Sequence, residues 1–251
     1  MKPLNILFFG SAPESNLVFN QLKSTYKSTY PSTCKDSLRR LGKPDLIVVA
    51  SYGHKIPQKT LDFPKHGSLN IHPSLLPKYR GATPVPSAIL ANDKITGVSI
   101  IKMTNKIDAG PILAQKKVLI KPNDTTPILL KRCFTIGAKL LINILPDYLN
   151  NKITLKIQDK SQVTYTKKFT KQDGFISWQE FLKASTTNFT SINHKIRALH
   201  PWPGIWTKMP ACAGRPTNKT LKLLPKNLFQ LEGKSPISWQ QFKNGYQFLL
   251  K

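Results

Sequence analysis

Short apolar runs alternate with helix-forming segments through the first 150 residues, and this alternation limits the fold more than any other feature of the sequence. LNILFFG (residues 4–10) and DLIVVA (residues 45–50) have the length and composition of buried strands. Residues 15–26 and 124–149 have helical character, and in the longer segment apolar residues recur at three- and four-residue steps. Strands that alternate with helices favour an α/β fold with a mostly parallel sheet.

The composition and the periodicity of the sequence change after this region. Residues 152–172 are polar and basic with little periodicity, and we interpret them as a linker between a first domain, residues 1–151, and a second domain, residues 173–251. The second domain begins with a predicted helix over about 177–200, which short strand-like pieces follow among proline and glycine residues. This pattern predicts a small β-rich domain of the kind that includes barrels.

The net charge of +26, with a pI near 10.1, indicates an affinity for polyanions such as nucleic acid. Residues 1–151 hold 21 basic and 8 acidic residues, and residues 152–251 hold 17 and 4, so each part has a net charge of +13. The shorter second part is therefore the denser basic region, and a phosphate backbone is its expected partner. A lysine-rich composition without any bound polyanion is the alternative.

Cysteine, histidine and hydropathy patterns exclude several classes of protein. Cys34, Cys133 and Cys212 lie far apart and the five histidines show no HxxxH spacing, so we predict neither a disulfide framework nor a metal site. No apolar run approaches the ~20 residues of a membrane-spanning helix, so no membrane partner is expected. The first predicted strand begins at Leu4, which leaves no room for a targeting peptide before it.

The string SLNIHP, residues 68–73, combines a short strand with two polar side chains. Side chains alternate in an extended chain, so Leu69 and Ile71 face one side of the sheet while Asn70 and His72 face the other. The apolar pair is suited to a core. The polar pair lies at the carboxyl end of the strand, where open α/β sheets usually bind their ligands.

Asp108 lies in a loop that follows another predicted strand, VSIIKM (residues 98–103). If the two strands are neighbours, Asn70, His72 and Asp108 converge at one end of the sheet. An asparagine amide can donate to a developing oxyanion, a histidine can transfer a proton near neutral pH, and an aspartate can orient the imidazole. Such a set suits acyl transfer to an amine, although an Asn-x-His pair also occurs at ordinary strand ends and Asp108 is a typical turn residue.

The whole stretch from SLNIHPSLLPKYRG to DAGPIL, residues 68–113, resembles the folate-dependent formyltransferases. That family carries Asn-x-His, then Ser-Leu-Leu-Pro, then Asp-x-Gly, and all three motifs stand here in the same order. The resemblance implies a Rossmann-like catalytic domain, 10-formyltetrahydrofolate as the formyl donor, and Asn70, His72 and Asp108 as catalytic residues. It also implies a folate pocket shaped by Ser74, Leu75, Leu76, Pro77 and Gly110.

Two later segments resemble the methionyl-tRNA formyltransferase branch of this family. VTYTKKFTKQDGFISW (residues 163–178) is similar to the linker and domain entry of those enzymes, and RALHPWPGIW (residues 197–206) to the start of their C-terminal domain. PLNILFFGS and GKSPISWQQFKNGY resemble fungal mitochondrial members. The resemblance implies an OB-like second domain, initiator methionyl-tRNA as acceptor and the mitochondrial matrix as compartment. The residues expected to contact tRNA phosphates are Lys167, Lys168, Lys171, Arg197, Lys219, Lys222 and Lys226.

The sequence departs from this family near its N-terminus. Only about 35 residues separate LNILFFG from DLIVVA, whereas family members usually hold another βα unit and a flexible basic loop there. Two alternatives therefore stand beside an active methionyl-tRNA formyltransferase: an enzyme of the same fold that formylates a small amine, and a non-catalytic tRNA-binding protein. We expect a monomer, since the sequence contains no heptad seam.

Overall fold

The computed structural model describes residues 4–26, 29–31, 42–211 and 219–249. The chain divides into two compact units. The first comprises Met1–Val85, Lys94–Ile120 and Ile128–Lys167, and the second comprises Pro86–Asp93, Lys121–Pro127 and Lys168–Lys251. The segment that we interpreted as a linker is thus assigned to the first unit as far as Lys167.

The first unit contains a six-stranded sheet in the order β2-β1-β3-β4-β5-β6. The pairs β1–β2, β1–β3 and β3–β4 are parallel, and β4–β5 and β5–β6 are antiparallel, which confirms the predicted α/β fold with a mostly parallel sheet. The strands are β1 (Ile6–Phe9), β2 (Thr29–Pro31), β3 (Leu46–Ala50), β4 (Ser68–His72), β5 (Ile95–Lys102) and β6 (Ile112–Leu119).

Seven α-helices occur in the described part of the chain. They are α1 (Ser15–Thr25), α2 (Gln58–Leu61), α3 (Pro84–Leu90), α4 (Thr126–Leu149), α5 (Trp178–Thr186), α6 (Asn193–Leu199) and α7 (Trp239–Tyr246). None of them is long and apolar enough to span a membrane.

The shortened N-terminal region keeps an edge strand in the sheet. Strand β2 has three residues and pairs in parallel with β1, with Pro31 opposite Phe8. Proline lacks the N–H that a further neighbour would need, so it is tolerated at the edge of a sheet. Of the segment between LNILFFG and DLIVVA, residues 27–28 and 32–41 lie outside the described residues.

Helix α4 packs against the centre of the sheet at a point where only glycine fits. A Cβ atom at Gly137 would lie 2.6 Å from Cγ2 of Ile71 on β4 and 2.9 Å from Cγ2 of Val98 on β5. Around this approach the residues of α4 nearest the sheet are buried, as the 3.6-residue period of the helix predicts. These buried residues include Leu129, Cys133, Phe134, Ala138, Leu141 and Leu145.

The second unit contains a four-stranded antiparallel sheet in the order β10-β9-β8-β7. Its strands are β7 (Ile205–Lys208), β8 (Thr220–Leu224), β9 (Leu228–Leu231) and β10 (Ile237–Ser238). Edge-to-face and stacked aromatic pairs fill its core, an arrangement that adds to the energy of burial alone. These rings belong to Trp178, Phe181, Phe189, Phe229, Trp239, Phe242 and Tyr246.

The single helix predicted over about 177–200 is wrong. Helix α5 starts as expected at a capping box, in which the Ser177 hydroxyl accepts from the Glu180 N–H at 3.1 Å. It ends before Asn188 and Phe189, whose φ angles of 48° and 62° are left-handed and incompatible with a continuous helix. Phe189 is buried in the aromatic core, so tertiary packing holds this break.

Gly137→Ala is expected to lower the free energy of unfolding, even though alanine is the better helix former by about 1 kcal/mol. The added methyl group must push Ile71 and Val98 apart, and overpacking of a core costs about 1–3 kcal/mol. Urea unfolding followed by circular dichroism measures the change. Gly245→Ala on α7 is the matched control, since a Cβ there meets nothing within 4 Å. Equal stabilisation of both variants would contradict this account of the packing.

Candidate active site

Strand β4 places Asn70 and His72 on the face opposite its apolar side chains. Leu69 and Ile71 are buried in the core, as the alternation predicts. Asn70 is half-buried and His72 is buried. The strand lies between β3 and β5, with Asn70 opposite Val49 and Ile101. A central strand flanked on both sides is a rigid base for functional side chains.

Asp108 meets both of these side chains, so the predicted convergence of the three residues is confirmed. The Asn70 amide donates to Oδ1 of Asp108 at 3.2 Å, and Nδ1 of His72 lies 3.5 Å from Oδ2. The backbone N–H of Gly81 donates to Oδ2 at 2.8 Å. The carboxylate is therefore surrounded by donors from β4 and from the loop that follows it. Asp108 itself has a φ of 47°, in the left-handed region.

The imidazole of His72 faces an acceptor at each nitrogen. Nε2 lies 2.9 Å from the Tyr79 carbonyl oxygen, and Nδ1 faces the Asp108 carboxylate. A neutral ring carries one proton and can donate to one of these acceptors, whereas the imidazolium can donate to both. Each ring nitrogen of His72 thus has an acceptor nearby.

The Ser-Leu-Leu-Pro turn is fixed to the strands beside β4. The buried Ser74 hydroxyl donates to the Lys78 carbonyl at 2.7 Å, which closes the turn on itself. Ser99 of β5 donates to the Ser74 carbonyl at 2.7 Å and accepts from the Leu76 N–H at 3.0 Å. Gln115 of β6 donates to the Leu76 carbonyl at 2.9 Å.

The remaining residues of the predicted folate pocket differ in exposure. Leu75 and Pro77 are half-buried at the turn. Gly110 is buried, and a side chain there would collide with the Lys102 carbonyl, so glycine is required where the loop returns to the sheet. The donor-binding role of these five residues stays a prediction.

Two polar residues at this site were missed by the sequence interpretation. Arg80 and Gln158 are both buried, and Nε and Nη2 of Arg80 donate to Oε1 of Gln158 at 3.1 and 2.7 Å. The Gln158 amide donates to the carbonyls of Asp108 and Gly110 at 2.8 and 2.7 Å. Gln158 lies in the aperiodic basic segment, where no pattern indicates that a glutamine turns inward. Arg80 lies within SLNIHPSLLPKYRG, which carries the family resemblance, and the sequence indicates no separate role for it.

The residues predicted to contact tRNA separate into exposed and buried groups. Arg197 is buried, donates to the Asp124 carbonyl at 2.9 Å, and has its pKa lowered by burial. We therefore correct its assignment: this guanidinium stabilises the second unit and is not a surface contact. The exposed members are Lys167, Lys168, Lys171, Lys219, Lys222 and Lys226.

One basic surface of the second unit is built on its sheet. Trp206 and Lys208 of β7 point to the same side as Lys222 of β8, which lies opposite Trp206. The ammonium group of Lys171 lies 5.5 Å from the centre of the Trp206 ring, a cation–π distance. We call these four residues the outer face of the second sheet.

Among the described residues, no three His, Cys, Asp or Glu side chains are grouped so that they could hold a metal ion. The Asn70, His72 and Asp108 set consists of hydrogen-bond donors and one carboxylate. Groups of these kinds can stabilise an oxyanion or transfer a proton.

The sequence of the chain is similar to those of known proteins. A methionyl-tRNA formyltransferase of Dehalococcoides mccartyi (strain CBDB1) is 43% identical over 189 residues, which is 74% of this chain and 56% of that protein. One from Chloroflexus aggregans is 44% identical over 182 residues, which is 70% of this chain and 56% of that protein. The chain thus spans little more than half the length of the relatives it matches.

Solved structures share the fold at lower identity. The methionyl-tRNA formyltransferase from Clostridium thermocellum has a TM-score of 0.65 and 20% identity, over 93% of this chain and 96% of that one. HypX from Aquifex aeolicus, solved with tetrahydrofolic acid, has a TM-score of 0.68 and 17% identity, over 99% of this chain and 48% of that one.

The family itself is identified by a match that includes the site. Residues 11–145, more than half of the chain, match the model of the formyl transferase family. That range contains Asn70, His72 and Asp108. The chain belongs to the formyl transferase family.

Proposed function

We propose that this protein transfers the formyl group of 10-formyltetrahydrofolate to the α-amino group of methionyl initiator tRNA. The observation that carries the proposal is that Asn70 and His72, on strand β4 of a formyl transferase, lie 3.2 and 3.5 Å from the Asp108 carboxylate. Relatives more than 40% identical to the chain bear the name methionyl-tRNA formyltransferase, and a protein of the same fold was solved with tetrahydrofolic acid.

In the proposed reaction the neutral α-amine attacks the formyl carbon, and a C–N bond forms as the formyl oxygen becomes an oxyanion. The Asn70 amide and the protonated His72 stabilise this oxyanion. The intermediate collapses as the bond from the formyl carbon to N10 of the folate breaks, and N10 takes the proton that the amine has given to Asp108. Asp108 orients His72 and accepts the proton that the attacking amine loses.

The two nitrogens of His72 have different tasks in this proposal. Nε2 is held by the Tyr79 carbonyl at 2.9 Å, an ordinary hydrogen-bond length. Nδ1 is 3.5 Å from the nearest Asp108 oxygen, which is longer than a well-formed hydrogen bond. We therefore assign the Nδ1–H group, which is not engaged in a short hydrogen bond, to the oxyanion, with the Asp108 carboxylate beside it compensating the positive ring.

The outer face of the second sheet is the surface that we propose for tRNA. A tryptophan ring among lysines offers stacking and charge together, which suits a nucleic-acid backbone and its unpaired bases. The Thr220 backbone N–H holds the pKa of Glu232 below its ordinary value, with Lys208 and Lys171 contributing. Glu232 therefore offsets part of the positive charge of this surface.

We further propose that the second unit is an OB-like domain, and that the protein is a monomer of the fungal mitochondrial type in the mitochondrial matrix. Its four antiparallel strands support the first point. The strings PLNILFFGS and GKSPISWQQFKNGY and the basic charge support the last, whereas the relatives described above are bacterial. Protease protection of the protein in isolated mitochondria tests the compartment, and complete digestion without detergent would reject it.

Asn70→Ala, His72→Gln and Asp108→Asn should each slow formyl transfer to charged initiator tRNA by ~100-fold or more, because each removes a group that acts on the oxyanion or on its donor. Single-turnover assays with 10-formyltetrahydrofolate measure the chemical step. Asn105→Ala, in the same loop as Asp108, and His54→Gln are matched controls at exposed positions, and we expect wild-type rates from both.

The assay also separates the alternatives. An inactive wild type that still binds tRNA would support a non-catalytic binding protein, and faster transfer to an amino sugar than to methionyl-tRNA would support a small-amine enzyme. Full activity of His72→Gln would contradict the proposed mechanism under every choice of acceptor.

Lys222→Ala should weaken tRNA binding and reduce the slope of log K against log salt concentration by about one, as expected for the loss of one phosphate contact. Filter binding over a salt series measures this slope. Lys131→Ala, at an exposed lysine of α4, removes the same charge from the first unit and should leave the slope unchanged. Equal slopes for the two variants would exclude the outer face as the contact surface.

A further inference from the structure

We propose that Gln158 is a positioning residue of this active site, one that fixes the Asp108 loop and the Arg80–Gly81 turn so that the carboxylate faces His72. The inference rests on the proposed formyl transfer. It assigns a role to the segment of residues 156–166, which the sequence interpretation treated as a linker.

Gln158 uses its whole side-chain amide in the contacts around Asp108. Its Nε2 group donates to the Asp108 carbonyl at 2.8 Å and to the Gly110 carbonyl at 2.7 Å. Its Oε1 atom accepts from two nitrogens of Arg80 at 3.1 and 2.7 Å. The side chain is 6% exposed, so these bonds form with little competition from water.

The two donor bonds lie where the loop takes a left-handed backbone conformation. Asp108 has a φ of 47°, in a region that few residues with a side chain occupy and that aspartate occupies more often than most. Gln158 binds the carbonyl of this residue and the carbonyl two residues later. The direction of the Asp108 side chain thus depends on the amide that holds its main chain.

The Arg80 side of the contact acts on the same carboxylate by a second route. Arg80 is buried, and its neighbour Gly81 donates its backbone N–H to Oδ2 of Asp108 at 2.8 Å. The Tyr79 carbonyl, on the other side of Arg80, binds Nε2 of His72. One glutamine therefore connects the loop that carries the carboxylate with the turn that contacts both the carboxylate and the imidazole.

The segment that carries Gln158 is itself fixed by main-chain bonds at both ends. Lys156 exchanges backbone hydrogen bonds with Ile112 at 2.8 and 2.9 Å. The Thr164 carbonyl accepts from the Arg80 N–H at 2.9 Å, and its hydroxyl accepts from the Tyr79 N–H at 2.8 Å. Gln158 therefore has a defined position from which to hold the two loops.

Two neighbouring residues of this segment are buried and exposed in the opposite way to that expected from their hydrophobicity. Ile157 is 75% exposed while the adjacent Gln158 is 6% exposed, so the polar residue faces inward and the apolar one faces solvent. Burial of apolar area would favour the opposite arrangement. The inward turn of Gln158 is thus maintained by its hydrogen bonds.

The decisive variant is Gln158→Glu, which can still accept from Arg80 but, as a carboxylate, has no donor for either carbonyl. We expect kcat for formyl transfer to fall by about 100-fold, the loss associated with a displacement of about 1 Å in a catalytic group. Affinity for 5-formyltetrahydrofolate, measured by calorimetry, should fall much less than kcat, since Gly110 is only one of the five predicted pocket residues. Gln162→Glu makes the same change at an exposed position of the same segment and should retain wild-type kcat.

A spectroscopic readout makes the test independent of turnover. The imidazole ¹⁵N shifts of His72 report the contact between Nδ1 and Asp108, and they should move in Gln158→Glu but not in Gln162→Glu. If the wild type proves inactive on every amine, the proposed function fails while this comparison still decides the role of Gln158. Urea unfolding establishes that the variants fold, and Gln158→Asn, one methylene shorter, should lie between wild type and Gln158→Glu.

Three results would overturn the proposal. Wild-type kcat in Gln158→Glu would show that the donor bonds are dispensable. Unmoved His72 shifts would show that Asp108 keeps its place without them. Loss of 5-formyltetrahydrofolate affinity with kcat retained would assign Gln158 to donor binding instead.

Discussion

The arrangement of the candidate active site depends on the contacts that the Asp108 carboxylate makes. This carboxylate accepts hydrogen bonds from Asn70 and Gly81 and faces the imidazole of His72, so a negative charge at 14% side-chain exposure is compensated by groups from two parts of the chain. Strand β5 runs antiparallel to β4 and therefore ends beside the start of β4, opposite Leu69. The loop after β5 must return toward the carboxyl end of β4 to bring the carboxylate there. That return explains both the left-handed backbone of Asp108 and the glycine that passes the Lys102 carbonyl.

Other parts of the first unit fix the strand and the turn that lie next to this loop. Helix α4 approaches β4 and β5 directly at Gly137, which sets the strand that carries Asn70 and His72 in a rigid position. The Ser99 hydroxyl and the Gln115 amide hold the turn that follows β4. Functional side chains on a packed strand, with loops fixed by buried hydrogen bonds, give the precision that transition-state stabilisation requires. The short edge strand β2 lies at the other side of the sheet from β5, so the shortened N-terminal region leaves the Asp108 loop intact.

Local patterns in the sequence predicted strands β1, β3, β4 and β5 but not the three-residue edge strand β2, and the convergence of the three polar residues followed only if β4 and β5 were neighbours. Alternation in LNIH separates Leu69 and Ile71 from Asn70 and His72, although His72 is buried as well, and the order of strands and helices predicts a mostly parallel sheet. Three features depend on tertiary contacts that no local pattern encodes. Phe189 ends helix α5 because its ring enters an aromatic core assembled from distant segments. Arg197 looks like a surface cation in sequence, yet the Asp124 carbonyl compensates its burial. The sequence interpretation missed Gln158 for the same reason, since its hydrogen-bond partners lie 48 to 78 residues away along the chain.

A double-mutant cycle between His72 and Asp108 tests most directly whether the carboxylate acts through the imidazole. The rate constants for single-turnover formyl transfer would be measured for His72→Gln, Asp108→Asn and the variant with both changes. Residues that act as one unit are strongly non-additive, so the double variant should be about as slow as the slower single variant. If the two losses multiply, Asp108 and His72 act independently, and the account of a carboxylate organised around the imidazole is contradicted.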